Sequence, residues 1–287
     1  MTKRITTITA LAATSILAAS AQAGVAAPGK SSKSVKEVVT ESCISGNAGF
    51  DVVSAYYFHG INLQDSGFII QPYANLSFKV YEGSGFLNSL SLDIGIWNSF
   101  HDNRGVGSST SNWFEFDFTA GITATLAEKW TLGVKYIKYE SPGDYFANAD
   151  GLGVTLGYND SDLLGAFALN PYVYVEFELE GKSGNGIDEG IYYEVGIAPG
   201  HSWGDLSVSV PIKVGFGSGE YYAGDEGYGF FSAGLAASYK LGFIPECLGD
   251  WSLSASATYY HLGDGVIAAN DGEENAVVFT GGLKVAF

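Results

Sequence analysis

The segment Ala276-Val277-Val278-Phe279-Thr280-Gly281-Gly282-Leu283-Lys284-Val285-Ala286-Phe287 decides the fold class. Its odd-numbered positions are apolar apart from Gly281, and its polar side chains, Thr280 and Lys284, both stand at even-numbered positions. Successive side chains of a β-strand point to opposite faces, so this alternation predicts a strand with one apolar face and one polar face.

The same alternation repeats upstream of this segment, beginning near Ser45. Each repeat is close to the nine to eleven residues that a tilted strand needs to cross a bilayer, and an even number of strands places both chain ends on the periplasmic side. We predict twelve strands, with ten or fourteen as the alternatives. Their predicted spans are 47–59, 67–81, 89–100, 112–126, 130–140, 150–158, 169–180, 188–199, 205–216, 227–241, 250–261 and 275–287.

Strands of this kind must close on themselves in a membrane. An open sheet in lipid would leave N–H and C=O groups unpaired at its edges, and closure removes those edges. The sequence therefore predicts an all-β fold, a membrane-spanning up-and-down antiparallel β-barrel over residues 46–287. The alternative is a water-soluble sandwich, which would bury its apolar faces.

The N-terminal region has the features of an export signal. Lys3 and Arg4 precede an apolar stretch, and Ala21-Gln22-Ala23 fits a small-x-small cleavage site. This pattern predicts a signal peptide at residues 1–23, cleaved after Ala23, followed by a flexible periplasmic leader at 24–45. A membrane-anchoring helix is the alternative.

The composition restricts the possible partners. Removal of Lys3 and Arg4 would change the net charge from −17 to −19, and such an acidic chain argues against binding nucleic acid. Charged residues make up 16% of the chain and aromatic residues 14%, which suits strands that face lipid on one side. We expect outer-membrane lipid and lipopolysaccharide as surroundings, and no cofactor or metal.

The polar strand faces define a predicted barrel interior. Carboxylates outnumber amines there, so a water-filled interior would favour cations. The alternative is that these charges pair across strands and fill a narrow bore. The predicted interior positions are Asp51, Asp93, Glu115, Asp117, Glu176, Glu178, Glu194, Lys79, Lys135, Lys213, Lys240 and Lys284.

The last strand resembles the C-terminal signal that the barrel assembly machinery of the outer membrane reads, a pattern of polar, x, Gly, x, x, aromatic, x, aromatic. Thr280, Gly282 and Phe287 match that pattern, whereas Val285 is hydrophobic but not aromatic. The resemblance implies a chain that this machinery inserts into the outer membrane.

The first hairpin resembles the opening of the TorF family of porins. The resemblance is carried by Gly46-Asn47-Ala48-Gly49-Phe50, Ser54-Ala55-Tyr56-Tyr57-Phe58-His59-Gly60-Ile61, Asp65-Ser66-Gly67 and Gln71-Pro72. In that family the strand ends in Tyr-x-Phe-Arg-Gly-Ile, so His59 stands where Arg is usual. The resemblance implies a barrel and a pore but no particular solute.

Three functions follow from these patterns. The first is a passive channel for small hydrophilic solutes, with a possible preference for cations. The second is a non-conducting structural or adhesive barrel. The third is an outer-membrane hydrolase, which would need a His beside a Ser; the sequence has no His-x-Ser on a strand, and His101-Asp102 falls in a predicted outer loop.

The two cysteines, Cys43 and Cys247, both fall at the predicted periplasmic end. Export reaches an oxidising compartment, so a disulfide between them and a pair of free thiols are both open at this point.

Overall fold

The computed structural model describes residues 42–102, 111–223 and 227–287. The predicted signal peptide and most of the predicted leader lie outside the described residues. The first strand begins at Ile44, two residues inside the predicted leader span 24–45.

Sixteen strands make up nearly all of the regular structure within the described residues. Two single-turn helices, α1 (Ser161–Leu164) and α2 (Asp264–Ile267), and two 3₁₀ turns, Gly165–Phe167 and Glu246–Leu248, lie in connections. None of the helices in the described part of the chain is long and apolar enough to span a membrane. The strands are β1 (Ile44–Val53), β2 (Tyr56–Phe58), β3 (Ile61–Gln64), β4 (Ile69–Glu82), β5 (Leu87–His101), β6 (Trp113–Leu126), β7 (Trp130–Glu140), β8 (Ala149–Tyr158), β9 (Tyr172–Glu180), β10 (Ile191–Ile197), β11 (Gly200–Trp203), β12 (Leu206–Ser209), β13 (Ile212–Gly217), β14 (Tyr228–Lys240), β15 (Asp250–Leu262) and β16 (Asn275–Ala286).

The wall is a closed, antiparallel barrel of twelve strands. Sequential wall strands pair with each other, and β1 closes the barrel against β16 in a register that runs from Asn47 opposite Ala286 to Val53 opposite Thr280. Two of the twelve are interrupted: β10 and β11 form one, and β12 and β13 form the other. The predicted fold class and strand number are confirmed.

The alternation seen in the sequence sets the two faces of the wall. On β5, the outward side chains of Leu92, Ile94 and Ile96 are exposed, whereas the inward side chains of Trp97 and Ser99 are buried. Water-soluble proteins rarely expose a continuous apolar belt of this kind, and it is the surface that a membrane-spanning barrel presents to lipid. The sandwich alternative is wrong, because the apolar face points outward.

The interrupted strands correct two predicted spans. The span 205–216 is two strands separated by Val210 and Pro211, and the predicted turn after residue 199 contains β11. Proline has no backbone N–H for the ladder, so Pro211 ends β12. The wall continues across this break through hydrogen bonds from Val210 N to Pro199 O and from Gly234 N to Pro211 O.

The first predicted strand needs the largest correction. The prediction of one strand over 47–59 is wrong, because β1 ends at Val53 and the chain then leaves the wall. Residues 56–64 form a separate two-stranded hairpin of β2 and β3, which pairs with no wall strand. Residues 61–64, which fall between the predicted strand spans 47–59 and 67–81, therefore form strand β3.

Candidate functional site

The β2–β3 hairpin folds into the barrel. The side chains of Tyr56, Phe58 and Ile61 are at most 3% exposed and pack against inward side chains of the wall. The two turn residues, His59 and Gly60, both have positive φ, as a two-residue hairpin turn requires. A Cβ on Gly60 would also lie 2.8 Å from the ring of Phe230, so the turn lies directly against the wall at β14.

Two other connections hold the hairpin turn in place. From the connection between β13 and β14, the Tyr222 hydroxyl donates to His59 O at 2.7 Å, and the Tyr221 hydroxyl lies 2.5 Å from His59 Nδ1. From the connection between β15 and β16, the Asn270 amide donates to Gly60 O at 2.8 Å, and its oxygen accepts from Asn62 N at 2.7 Å. The hairpin is therefore held inside the barrel by two other connections and by the wall.

The His59 ring stacks on an inward side chain of the wall. Its centroid lies 3.5 Å from that of Tyr192, and the planes are nearly parallel at 5°. His59 belongs to the hairpin turn and to no membrane-spanning strand. Burial, with help from the nearby Lys213 and Lys135 ammonium groups, holds the pKa of His59 well below its usual range, so the ring is neutral at neutral pH.

Four predicted interior carboxylates lie at the level of the hairpin. Glu115, Asp117, Glu176 and Glu194 are at most 3% exposed. Tyrosine hydroxyls donate to three of them, and this explains how acidic groups can be buried here. The donors are Tyr56 to Glu115 at 3.0 Å, Tyr139 to Glu176 at 2.6 Å, Tyr174 to Glu176, and Tyr172 and Tyr192 to Glu194, each at 2.7 Å.

Two predicted interior lysines accompany these carboxylates. Lys213 Nζ lies 3.0 Å from Glu194 Oε2, in an ion pair whose carboxylate is fully buried and whose lysine side chain is 25% exposed. Lys135 Nζ lies over the Tyr174 ring, 5.4 Å from its centroid, and no ion pair within 4.0 Å joins it to a carboxylate of the described residues. Negative charge is therefore in excess in this part of the interior.

The remaining predicted interior residues lie elsewhere. Asp51 stands opposite Gly282, next to Lys284, and Asp93 accepts from the Thr123 hydroxyl at 2.7 Å. Lys79 pairs with Glu82 at 2.7 Å, and Lys240 pairs with Asp250 at 2.7 Å at the end of the barrel where Asp250 stands opposite Ala286. That these residues line a conducting pore stays a prediction.

Glu178 has a different surrounding from the other carboxylates. Its Oε1 accepts from the Ser183 hydroxyl and from Gly184 N, each at 2.8 Å, and its Oε2 accepts from Gly190 N at 2.5 Å. These donors all belong to the outer connection between β9 and β10. Glu178 thus organises that connection, and the strand alternation alone did not indicate this role.

Glu178→Ala should loosen this outer connection. It leaves several buried donors without an acceptor, and each such loss costs about 1–3 kcal/mol. We expect faster proteolysis within residues 181–190 while the barrel stays folded. Glu180→Ala, at an exposed position on the same strand, is the matched control and should leave the cleavage rate unchanged. Equal cleavage rates in both variants would contradict this role.

Comparisons with known proteins give matches among solved structures. No family model and no curated protein matches the sequence. Among solved structures, the chain is similar to an outer membrane channel from Pseudomonas putida F1, at 12% identity over 85% of this chain and 95% of that one, with a TM-score of 0.49. It is also similar to the translocator domain of the autotransporter NalP from Neisseria meningitidis, at 15% identity over 87% of this chain and 90% of that one, with a TM-score of 0.46. A third is the NanC porin, at 12% identity over 85% and 98%, with a TM-score of 0.43.

These similarities are too low to assign a function or a family. TorF-family membership therefore stays a prediction, as do the residues of the assembly signal.

A buried Ser and His do lie side by side. Ser99 Oγ is 2.8 Å from His101 Nε2, and the amide of Gln71 donates to the same hydroxyl at 3.3 Å. His101 ends β5 and does not lie in a loop as predicted; the pair is Ser-x-His, the reverse of the order searched for in the sequence. His101 Nδ1 has no hydrogen-bond partner in the described part of the chain, and the hydroxyl is 0% exposed.

This pair lacks two features of a hydrolytic site. A catalytic His needs a group that orients its second nitrogen, and the Ser must be reachable by substrate. Neither feature is present among the described residues. The His beside a Ser that a hydrolase needs is thus present, but without these two features among the described residues.

Two further predictions concern cysteines and metals. Cys43 and Cys247 are exposed free thiols in the structure, so a bridge between them stays a prediction for the exported protein. Residues 42–102, 111–223 and 227–287 contain no cluster of three or more His, Cys, Asp or Glu side chains arranged to hold a metal ion.

Proposed function

We propose that this protein is a porin-like channel of the bacterial outer membrane, through which small hydrophilic solutes diffuse passively. The observation that carries the proposal is a twelve-stranded closed wall with an apolar outer face and a polar, net-acidic interior. Barrels of this size fall between those filled by side chains and those with a wide aqueous bore. The excess of carboxylates supports a preference for cations.

The interior differs between its two halves. Near the periplasmic end, the inward residues are small and polar, and side chains such as Thr131, Thr155 and Ser254 keep partial or full solvent exposure. At the outer end, the β2–β3 hairpin and its neighbours are buried. The proposed channel therefore has a vestibule that opens toward the periplasm, and the hairpin narrows its outer half.

Planar-bilayer recording tests this proposal. Folded protein should give discrete conductance steps, and under a KCl gradient the reversal potential should have the sign of cation preference. That preference should weaken as salt rises, because mobile ions screen the carboxylates. Asp51→Asn with Asp93→Asn should reduce the preference, whereas Glu180→Gln, at an exposed position, should not. Anion preference, or an unchanged reversal potential in the double variant, would contradict the claim that interior carboxylates select cations.

A non-conducting barrel is the second candidate, and the packed outer half favours it. Under this alternative the loops contact partners or lipopolysaccharide and the hairpin is permanent. Bilayer conductance distinguishes the two candidates. A correctly folded protein that shows no conductance steps, either with its hairpin or without it, is a structural barrel.

We also propose that Thr280, Gly282, Val285 and Phe287 form the signal for the barrel assembly machinery. In the structure Phe287 continues the wall, with its N–H donating to Gly46 O at 3.0 Å. Phe287→Ala keeps these backbone bonds, so it should lower the amount of heat-resistant folded barrel in the outer membrane while refolding in detergent stays normal. Leu248→Ala, an exposed apolar residue at the same end, is the control. A refolding defect in Phe287→Ala would indicate a purely structural role.

A further inference from the structure

Three buried polar atoms of the described residues have no hydrogen-bond partner, and all three belong to the hairpin or to strands that face it. They are Asn62 Oδ1 on β3, His101 Nδ1 on β5 and Asp117 Oδ1 on β6. Buried polar atoms in folded proteins are nearly always paired, so each exception needs an explanation. Their concentration around one element shows that the hairpin does not fully satisfy the polar groups of the wall beneath it.

The surroundings of Asp117 are suited to a positive charge. Its side chain is 3% exposed, and its cross-strand neighbours on the two sides are Trp97 and Tyr139. Glu115 lies on the same face of β6, two residues away. A carboxylate oxygen between aromatic rings attracts an ammonium group by charge and by cation–π interaction, and both effects strengthen when water is excluded.

The space beside these groups is filled by Tyr56 of the hairpin. The Tyr56 ring centroid lies 5.6 Å from that of Trp97 and 6.0 Å from that of His101, and its hydroxyl donates to Glu115 Oε2 at 3.0 Å. A neutral hydroxyl thus binds Glu115, two residues from Asp117 on the same face of β6. Lys135 does not supply the missing charge at contact distance, since it forms no ion pair within 4.0 Å with the described carboxylates and lies over the Tyr174 ring.

We propose that the space between Trp97, Asp117 and Tyr139, next to Tyr56, is a binding site for the ammonium group of a small organic amine. The ammonium group contacts Asp117 Oδ1 and the two ring faces, and it displaces Tyr56 from the wall. Displacement of Tyr56 weakens the hold on the hairpin, so the solute that binds also promotes opening. This inference rests on the proposed channel function, because the solute must be able to enter the barrel.

Three probes with the same four-carbon chain separate charge from hydrophobicity: n-butylammonium chloride, n-butanol and sodium butyrate. Binding to the full chain, folded in detergent, is measured by isothermal titration calorimetry at constant ionic strength. We expect binding of butylammonium, and little of the neutral or anionic probe. Equal heats from all three probes would overturn the proposal.

Asp117→Asn keeps the size of the side chain and removes its charge. It should weaken butylammonium binding about tenfold, equivalent to roughly 1.4 kcal/mol. Asp150→Asn is the matched control, since the Asp150 carboxylate is already paired with the Lys138 ammonium, 3.7 Å away, and this variant should bind like the parent protein. Binding that is unchanged in Asp117→Asn would overturn the proposal.

Tyr56→Ala provides a second, independent measurement if Asp117→Asn does not fold. This substitution removes the Tyr56 ring, which the amine would otherwise have to displace, and it retains Asp117. Butylammonium should therefore bind more tightly than to the parent protein. Unchanged or weaker binding would place the amine elsewhere and overturn the proposal. Failure of the two proposals is distinguishable: binding without conductance defeats only the channel, and conductance without butylammonium binding defeats only this site.

Discussion

Replacing residues 55–66 with a four-residue Gly-Ser linker should open the outer half of the barrel and raise its single-channel conductance about tenfold. The reason is that a wall of twelve strands encloses more space than its own side chains fill, and the hairpin occupies that space. The linker can span the gap, since the ends of β1 and β4 are adjacent, with Val53 opposite Ile69. Conductance in planar bilayers is the measurement.

The control for this replacement is the periplasmic turn at residues 83–86. This turn is mostly exposed, and none of its residues belongs to the two groups of buried side chains that pack around the hairpin. The same linker at this turn should therefore leave conductance unchanged. Both variants should keep the heat-dependent gel mobility of a folded barrel. A folded hairpin-replaced barrel without conductance steps would show that the bore is closed by the wall itself.

Asn270→Ala should give channel activity between that of the parent protein and that of the hairpin-replaced barrel. The Asn270 side chain makes two of the hydrogen bonds that hold the hairpin, to Gly60 O and from Asn62 N. Without them the hairpin remains present but is held less firmly, so we expect brief openings of the same unit conductance as in the replaced barrel. Openings of a smaller size would indicate that the hairpin rearranges within the bore and does not leave it.

The wall could be predicted from the sequence because its determinants are local. Alternation fixes which side chains of a strand share a face, and the predicted span 130–140 coincides with β7. The predicted inward positions of Glu115, Asp117, Glu176 and Glu194 follow from the same period of two, and the structure buries all four.

The hairpin could not be predicted in this way, since its residues alternate as a wall strand does. Whether Tyr56 and Phe58 join the wall or fold inside depends on Tyr222 and Asn270, which lie more than 160 residues away along the chain. One local signal was present. His59-Gly60 stands between two alternating runs, and His is among the residues that adopt positive φ more readily than most, so the pair fits a two-residue turn.

The interior ion pair leads to the prediction with the largest effect on stability. Lys213→Met should lower the free energy of unfolding by about 3–5 kcal/mol, the usual cost of removing one partner from a buried ion pair. The reason is Glu194, which is 0% exposed and would keep its charge without the Lys213 ammonium at 3.0 Å. Urea titration of the protein in lipid vesicles measures this change.

Lys240→Met is the matched control for Lys213→Met, because the Lys240–Asp250 pair has a similar separation, 2.7 Å, but side chains that are 44% and 60% exposed. Exposed pairs contribute about 0–1 kcal/mol, so this variant should be nearly as stable as the parent protein. Adding Glu194→Gln to Lys213→Met removes the unpaired charge, while the amide oxygen can accept from one of Tyr172 and Tyr192 and the amide nitrogen can donate to the hydroxyl of the other, so most of the lost stability should return. If the double variant is instead less stable than Lys213→Met, the loss comes from the packing of the Lys213 side chain against Phe230 and not from an uncompensated charge.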